Sequence, residues 1–107
     1  MSGEEDLVSK LENLLETMKD WERKPVLKSG RIIVELVKIP GRKTRSTVRP
    51  ERLAIMVRRE DAFRGTILET PDDVEDAVYA LSSQKVKEIA EALKELYRKR
   101  RLQEFEL

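Results

Sequence analysis

Lys43, Arg45 and Arg49 recur at even spacing, with Thr47 between them and Arg42 just before. In an extended chain side chains alternate between faces, so Lys43, Arg45, Thr47 and Arg49 fall on one side and Thr44, Ser46 and Val48 on the other. A row of ammonium and guanidinium groups is chemistry for phosphates. Arg58 and Arg64 extend the supply of cations, while Ile33, Met56 and Phe63 offer flat apolar surface from neighbouring segments. Single strands suit this mixture, because their phosphates meet cations and their exposed bases stack on apolar or aromatic groups at about 1–3 kcal/mol each. The candidate binding set is therefore Arg42, Lys43, Arg45, Arg49, Arg58 and Arg64 for phosphates, with Ile33, Met56 and Phe63 for bases.

The charge of the chain is organised by segment. Residues 28–68 hold eleven Lys/Arg against four Asp/Glu, a net +7, and the segments on either side carry −3 each, leaving +1 overall. A positive field of that kind attracts polyanions before any specific contact forms. With no cysteine and no histidine, the chain lacks thiolate or imidazole metal ligands, a thiol nucleophile and a neutral-pH base. No phosphate-binding glycine loop, dinucleotide fingerprint or nucleophile elbow occurs. The expectation is a binding protein without cofactor, metal or catalysis. Glu69, Asp72, Asp73, Glu75 and Asp76 cluster, but four of them sit at a helix start, where carboxylates favour the dipole.

The elements that must position the cations follow from periodicity. Leu7, Val8, Leu11, Leu14, Leu15, Met18 and Trp21 make an apolar stripe on a helix over about 4–22, which favours the core or an interface for Trp21 over the alternative of stacking a base at the sheet's rim. Pro25 and Gly30 then end the helix and supply turn chemistry. Residues 31–39 are β-branched and apolar on both faces, as in a central strand. Pro40 and Gly41 suit a type II hairpin turn into a second strand at 43–49. Further strands are expected at 53–58 and 63–68, with Leu53, Ile55 and Val57 towards the core and Ala54, Met56 and Arg58 on the open face. Thr70, Pro71, Asp72 and Asp73 mark a helix start, and Ser82 or Ser83 caps a last helix. The fold class is α+β: a four-stranded antiparallel sheet with an N-terminal helix and two C-terminal helices packed mainly on one face.

Length predicts a single domain, 1–107, devoted to nucleic-acid binding, with the last helix, about 84–107, also serving oligomerisation. Leu93, Leu96, Tyr97, Leu102 and Phe105 exceed what a small core covers, which points to a homo-oligomer, a dimer or tetramer. The first residues are acidic and no apolar run is long enough for a membrane span, so a cytoplasmic protein is expected. Dense Glu, Lys and Arg without Cys is the composition in which ion-pair networks support stability at high temperature.

A leading helix, a basic β-region opening with Lys28, Ser29, Gly30 and Arg31, the Thr70 to Asp73 cap and a long last helix together resemble the ThermoDBP-related proteins of hyperthermophilic archaea. The likeness is one of layout and composition over most of the chain. It implies a single-stranded DNA-binding protein that uses a basic and apolar sheet surface, without assigning individual residues. The leucine-zipper extension through which that family's namesake dimerises has no counterpart before Leu107, so self-association is expected through other surfaces.

Two alternatives stay open at this level. The helices at 71–81 and 84–100 have the order of a helix-turn-helix, which would suit an RNA-binding or duplex-DNA-binding regulator. A basic strand region also suits a non-catalytic subunit that meets an acidic protein partner. The plainest option is a solvated sheet face whose arginines pair with Glu35, Glu51 and their neighbours.

Overall fold

A computed structural model describes residues 3–104, with side-chain surroundings over 6–101. The fold is α+β: helix α1 (Gly3–Thr17), strands β1 (Arg23–Ser29), β2 (Ile32–Ile39), β3 (Arg42–Lys43), β4 (Val48–Arg49), β5 (Arg52–Arg59) and β6 (Thr66–Leu68), then α2 (Pro71–Leu81) and α3 (Gln84–Glu104). The chain divides into two compact units, residues 1–71 and 72–107. Leu102 and Phe105, expected to contribute to association, lie outside the residues whose side chains are described.

The first unit is built on a four-stranded antiparallel sheet in the order β1-β2-β5-β6. Its membership differs from the sequence expectation. The strand expected at 43–49 is instead a separate two-stranded hairpin, β3–β4, and β1 takes the vacant place in the sheet. Pro25 permits this because β1 is an edge strand, where a missing N–H breaks no ladder, and the register shifts between Pro25 and Leu27. The β1–β2 connection is a two-residue loop with Gly30 at φ 58°, the first central position at which a type II′ turn requires glycine.

Pro40 and Gly41 do not form the expected type II turn, since Gly41 has no positive φ. A Cβ at Gly41 would lie 3.2 Å from the Glu51 backbone nitrogen and 3.3 Å from the Arg49 carbonyl oxygen. A side chain there would make the neighbouring backbone give way by a few tenths of an ångström. The chain leaves β2, makes the β3–β4 excursion and returns as β5 directly beside β2.

Cross-strand partners share a face, so Ile33/Arg58, Glu35/Met56, Val37/Ala54 and Ile39/Arg52 lie on one side of the β2–β5 ladder. Val34/Val57, Leu36/Ile55 and Lys38/Leu53 lie on the other. The expected alternation holds, but the face expected to be open is the more buried one. Val37, Ile39, Ala54 and Met56 form the core cluster, whereas Leu53, Ile55 and Val57 are half-buried. Trp21, Arg23 and the 61–65 loop lie over that face. Gly65 presses so closely on β5 that a Cβ would collide with the Val57 carbonyl and the Arg58 Cβ.

Helix α1 ends at Thr17, earlier than its apolar stripe suggests, and Lys38 closes the end. The buried Lys38 ammonium donates to the carbonyls of Leu15 at 2.7 Å and Met18 at 2.9 Å and pairs with Glu51 at 3.1 Å. Three donors meet three acceptors, which is what a buried ammonium requires. The positive charge also faces the negative end of the helix dipole.

Helix α2 begins at Pro71, the last residue of the first unit, and runs into the second with Asp72 and Asp73 in its first turn. Ser83 is the serine that caps α3, its hydroxyl accepting from the Val86 N–H at 3.3 Å. Val78, Leu81, Ile89, Leu93, Leu96 and Tyr97 are all exposed. No described helix is long and apolar enough to cross a membrane.

Candidate nucleic-acid interface

The hairpin β3–β4 is short, basic and locally stitched. Thr44 donates its N–H to the Thr47 carbonyl at 2.8 Å, and the two threonine hydroxyls meet at 2.7 Å. Thr47 returns its N–H to the Thr44 hydroxyl at 3.1 Å. This turn overrides strand alternation. Arg42 stands directly opposite Arg49 and shares its side, while Lys43 stands opposite Val48 on the other. The expected single row of Lys43, Arg45 and Arg49 is therefore corrected to a facing pair, Arg42 and Arg49, with Lys43 and Arg45 elsewhere on the same hairpin. Like charges directly opposite each other destabilise a ladder, so the pair is a place where an anion would be welcome.

Ion pairing sorts the remaining cations. Lys28 and Arg31 pair with Glu60, Arg31 and Arg59 with Asp61, and Arg52 with Glu69. Arg58 holds the buried Glu35 carboxylate at 2.6 Å through Nε and donates to the Ala62 carbonyl at 3.0 Å. Its guanidinium is committed to tying the 61–65 loop over the sheet, so the plain structural role anticipated for arginines near Glu35 holds for Arg58. Among the described residues, Arg42, Lys43, Arg45, Arg49 and Arg64 form no ion pair. Four of the five sit on one hairpin of eight residues, 42–49.

Two grooves lie in the first unit, the first of them against that hairpin. One, of about 410 Å³, is bounded by Ile39, Gly41, Arg42, Arg49 and Arg52, with Glu69 at its rim. The other, of about 490 Å³, is mostly apolar and is bounded by Arg23, Met56, Phe63, Arg64 and Ile67. Trp21 lines both. These volumes fall within the roughly 300–1,000 Å³ of small-ligand sites. A further hollow of about 270 Å³ lies between Arg42, Arg49, Thr44 and Thr47.

Phe63 is 79% exposed, and the Arg23 guanidinium sits 4.5 Å from its ring centroid while donating to the Phe63 carbonyl at 2.6 Å. The cation holds the ring by its face and its backbone at once. Met56, at 3% exposed, is the floor of the apolar groove, which corrects its expected place on an open face. Ile33 lies opposite Arg58 and borders neither groove. Thus the structure brings together Arg42 and Arg49 on one side and Met56, Phe63 and Arg64 on the other, and leaves out Ile33 and Arg58.

Trp21 is the residue whose position helical periodicity misassigns. It is 57% exposed, lies beyond α1, and is the only non-glycine residue with positive φ, at 66°, among those described. Its N–H donates to the Lys38 carbonyl at 2.7 Å, and the Lys38 N–H donates to the Glu22 carbonyl at 3.1 Å. The Glu22 carboxylate accepts the Lys19 N–H at 2.9 Å, a hydrogen bond that holds its pKa below the usual glutamate value, with the Lys24 ammonium adding to the effect. A lone tryptophan flanked on both sides by charged residues over 19–24 was the available signal. Helical spacing outweighed it.

Among the described residues no group of three or more side chains is placed to hold a metal ion. The fold and site define an α+β protein with a basic hairpin beside aromatic grooves. Comparison with known protein families, with curated proteins and with solved structures finds no match.

Proposed function

We propose that this protein binds single-stranded DNA, largely independently of sequence, through hairpin β3–β4, the groove beside it and the second groove that shares Trp21 with the first. The observation that carries the proposal is the sorting of cations within residues 23–68: those in the four-stranded sheet are paired with carboxylates, and the unpaired ones of this segment lie on the hairpin and at Arg64. Unpaired guanidinium groups meet phosphates without first breaking an ion pair. Adjacent exposed rings favour unstacked bases over a duplex, whose bases are already stacked. The layout resembling ThermoDBP-related proteins supports the same reading.

The proposal extends to a homo-oligomer, dimer or tetramer, associated through the exposed Ile89, Leu93, Leu96 and Tyr97 of α3. The linked ion pairs of Lys28, Arg31 and Arg59 with Glu60 and Asp61 support a thermophilic setting. Solution mass measurement tests the oligomer, and a monomer at all concentrations refutes it.

The function is tested by titrating single-stranded DNA, single-stranded RNA and duplex DNA of equal length at several salt concentrations. Tighter binding of single-stranded DNA, weakening steeply with salt, is expected. Equal binding of duplex sinks the proposal, and tighter binding of RNA moves it to an RNA-binding protein.

A further inference from the structure

The backbone at Trp21 poses a physical question. The left-handed region costs an L-residue about 1–2 kcal/mol, so a bulky aromatic is a poor choice for it and glycine or asparagine a good one. The hydrogen bonds that fix this turn come from backbone atoms of Trp21, Glu22 and Lys38, and any residue at position 21 would make them. Burial is a weak justification for the indole, since more than half of Trp21 is exposed. The side chain at this strained position is therefore explained by what it presents outward.

It is presented at a particular place. Trp21 is the wall common to the groove that holds Arg42, Arg49 and Arg52 and the groove that holds Phe63 and Met56. Cationic groups lie to one side and an apolar slot to the other. A nucleotide has the same division, a phosphate at one end and a flat ring at the other. The turn is also rigid: its backbone is bonded to Lys38, whose side chain simultaneously closes α1. An aromatic ring held on a fixed turn loses little entropy when a base docks on it.

We propose that Trp21 is the stacking residue of this surface: an unpaired base packs on its indole within the Phe63 groove while the adjoining phosphate is held by Arg42 and Arg49. This rests on the single-strand reading and assigns the residue that distinguishes a base from a bare backbone. Helical spacing in the sequence favours a core or interface place for Trp21 over stacking, and Trp21 is not among the nine residues chosen from it.

The experiment uses the full chain and its single tryptophan as reporter. A thymidine oligonucleotide is titrated while anisotropy of a label on the strand reports binding and intrinsic emission reports Trp21. An abasic strand with the same number of phosphates is the control. Saturable quenching by the thymidine strand and none by the abasic strand is expected. Trp21→Gly should lose about 5- to 150-fold in affinity for the thymidine strand, the fold-change that corresponds to one lost stacking contact, with the abasic strand bound as before. Its thermal midpoint should be no lower than that of the wild type, because glycine relieves the positive φ. Trp21→Phe, which keeps a ring, should recover most of the affinity. Binding by anisotropy with unchanged Trp21 emission and with Trp21→Gly as tight as wild type overturns the stacking role and leaves single-strand binding standing. Absence of binding to every strand overturns both.

Discussion

Removing the facing pair Arg42 and Arg49 should change how binding responds to salt more than it changes the fold. Within residues 23–68 five cations, Arg42, Lys43, Arg45, Arg49 and Arg64, are free of ion pairs. For single strands the logarithm of affinity falls with the logarithm of salt at about 0.7 per neutralised phosphate, so five contacts give a slope of about −3.5. Raising salt from about 50 to 200 mM then weakens binding by about 130-fold at that slope. Arg42→Ala with Arg49→Ala leaves three cations, a slope of about −2.1 and a loss of about 18-fold over the same range. The double variant should remain folded, since the substitutions remove a repulsive cross-strand pair and the Thr44–Thr47 turn stays intact. Anisotropy with a labelled thymidine strand at four or five salt concentrations reads the slope directly. Arg31→Ala serves as control, because Arg31 is engaged by Glu60 and Asp61 and its loss should leave the slope unchanged. A double variant whose slope matches the wild type, or a wild-type slope shallower than about −1, would refute the assignment of phosphates to this hairpin.

Arg58→Ala should behave in the opposite way, leaving the salt slope alone and destabilising the fold by about 3 kcal/mol, because Glu35 stays buried with only the Arg23 guanidinium, 3.9 Å away. At the usual size dependence that lowers Tm by about 10 °C or more, and a fall of under about 3 °C would show the pair to be dispensable. Lys38→Met should cost about 2–3 kcal/mol by orphaning the Leu15 and Met18 carbonyls, as read by denaturant unfolding, while Lys24→Met, on an exposed pair, stays within about 0.5 kcal/mol. Equal effects of the two lysines would contradict the helix-closing role. Glu22 titrates below the ordinary glutamate value in the folded state, so its contribution is complete above the unfolded value and is lost as pH falls through the lowered folded one. Trp21 emission should accordingly change with a midpoint below that of a free glutamate and should lose that step in Glu22→Gln; a midpoint at or above the free value speaks against the Lys19 hydrogen bond.

Several features were legible from the chain because their causes are local. Helix α2 begins and ends where Pro71, the acids after it and the Ser82–Ser83 break place it, since capping and propensity act within one turn. The alternation of Ile33, Glu35 and Val37 against Ala54, Met56 and Arg58 also follows from spacing alone, because a strand has period two. Composition likewise concentrates positive charge in the middle of the chain and removes cysteine and histidine chemistry altogether.

Which strands pair, which face is covered and which arginines are free were decided only by the fold. Placing β1 beside β2 takes only a two-residue hairpin turn, but Pro25 argues against a strand unless that strand lies at a sheet edge, which only the assembled sheet decides, and the pairing released 42–49 to become a separate hairpin. Arg58 and Glu35 are 23 residues apart, and Arg23 and Phe63 are 40 apart, so no local pattern reveals that these guanidinium groups are already engaged. Trp21 shows the same limit most sharply. Three- and four-residue spacing matches a helical stripe, yet Lys38 of β2 closes the helix before Trp21, and the turn that follows leaves the indole exposed. The sequence by itself determined the elements and the supply of charge, because those depend on neighbours along the chain; tertiary structure alone decided which charges and rings face outward, because that depends on partners far away in it.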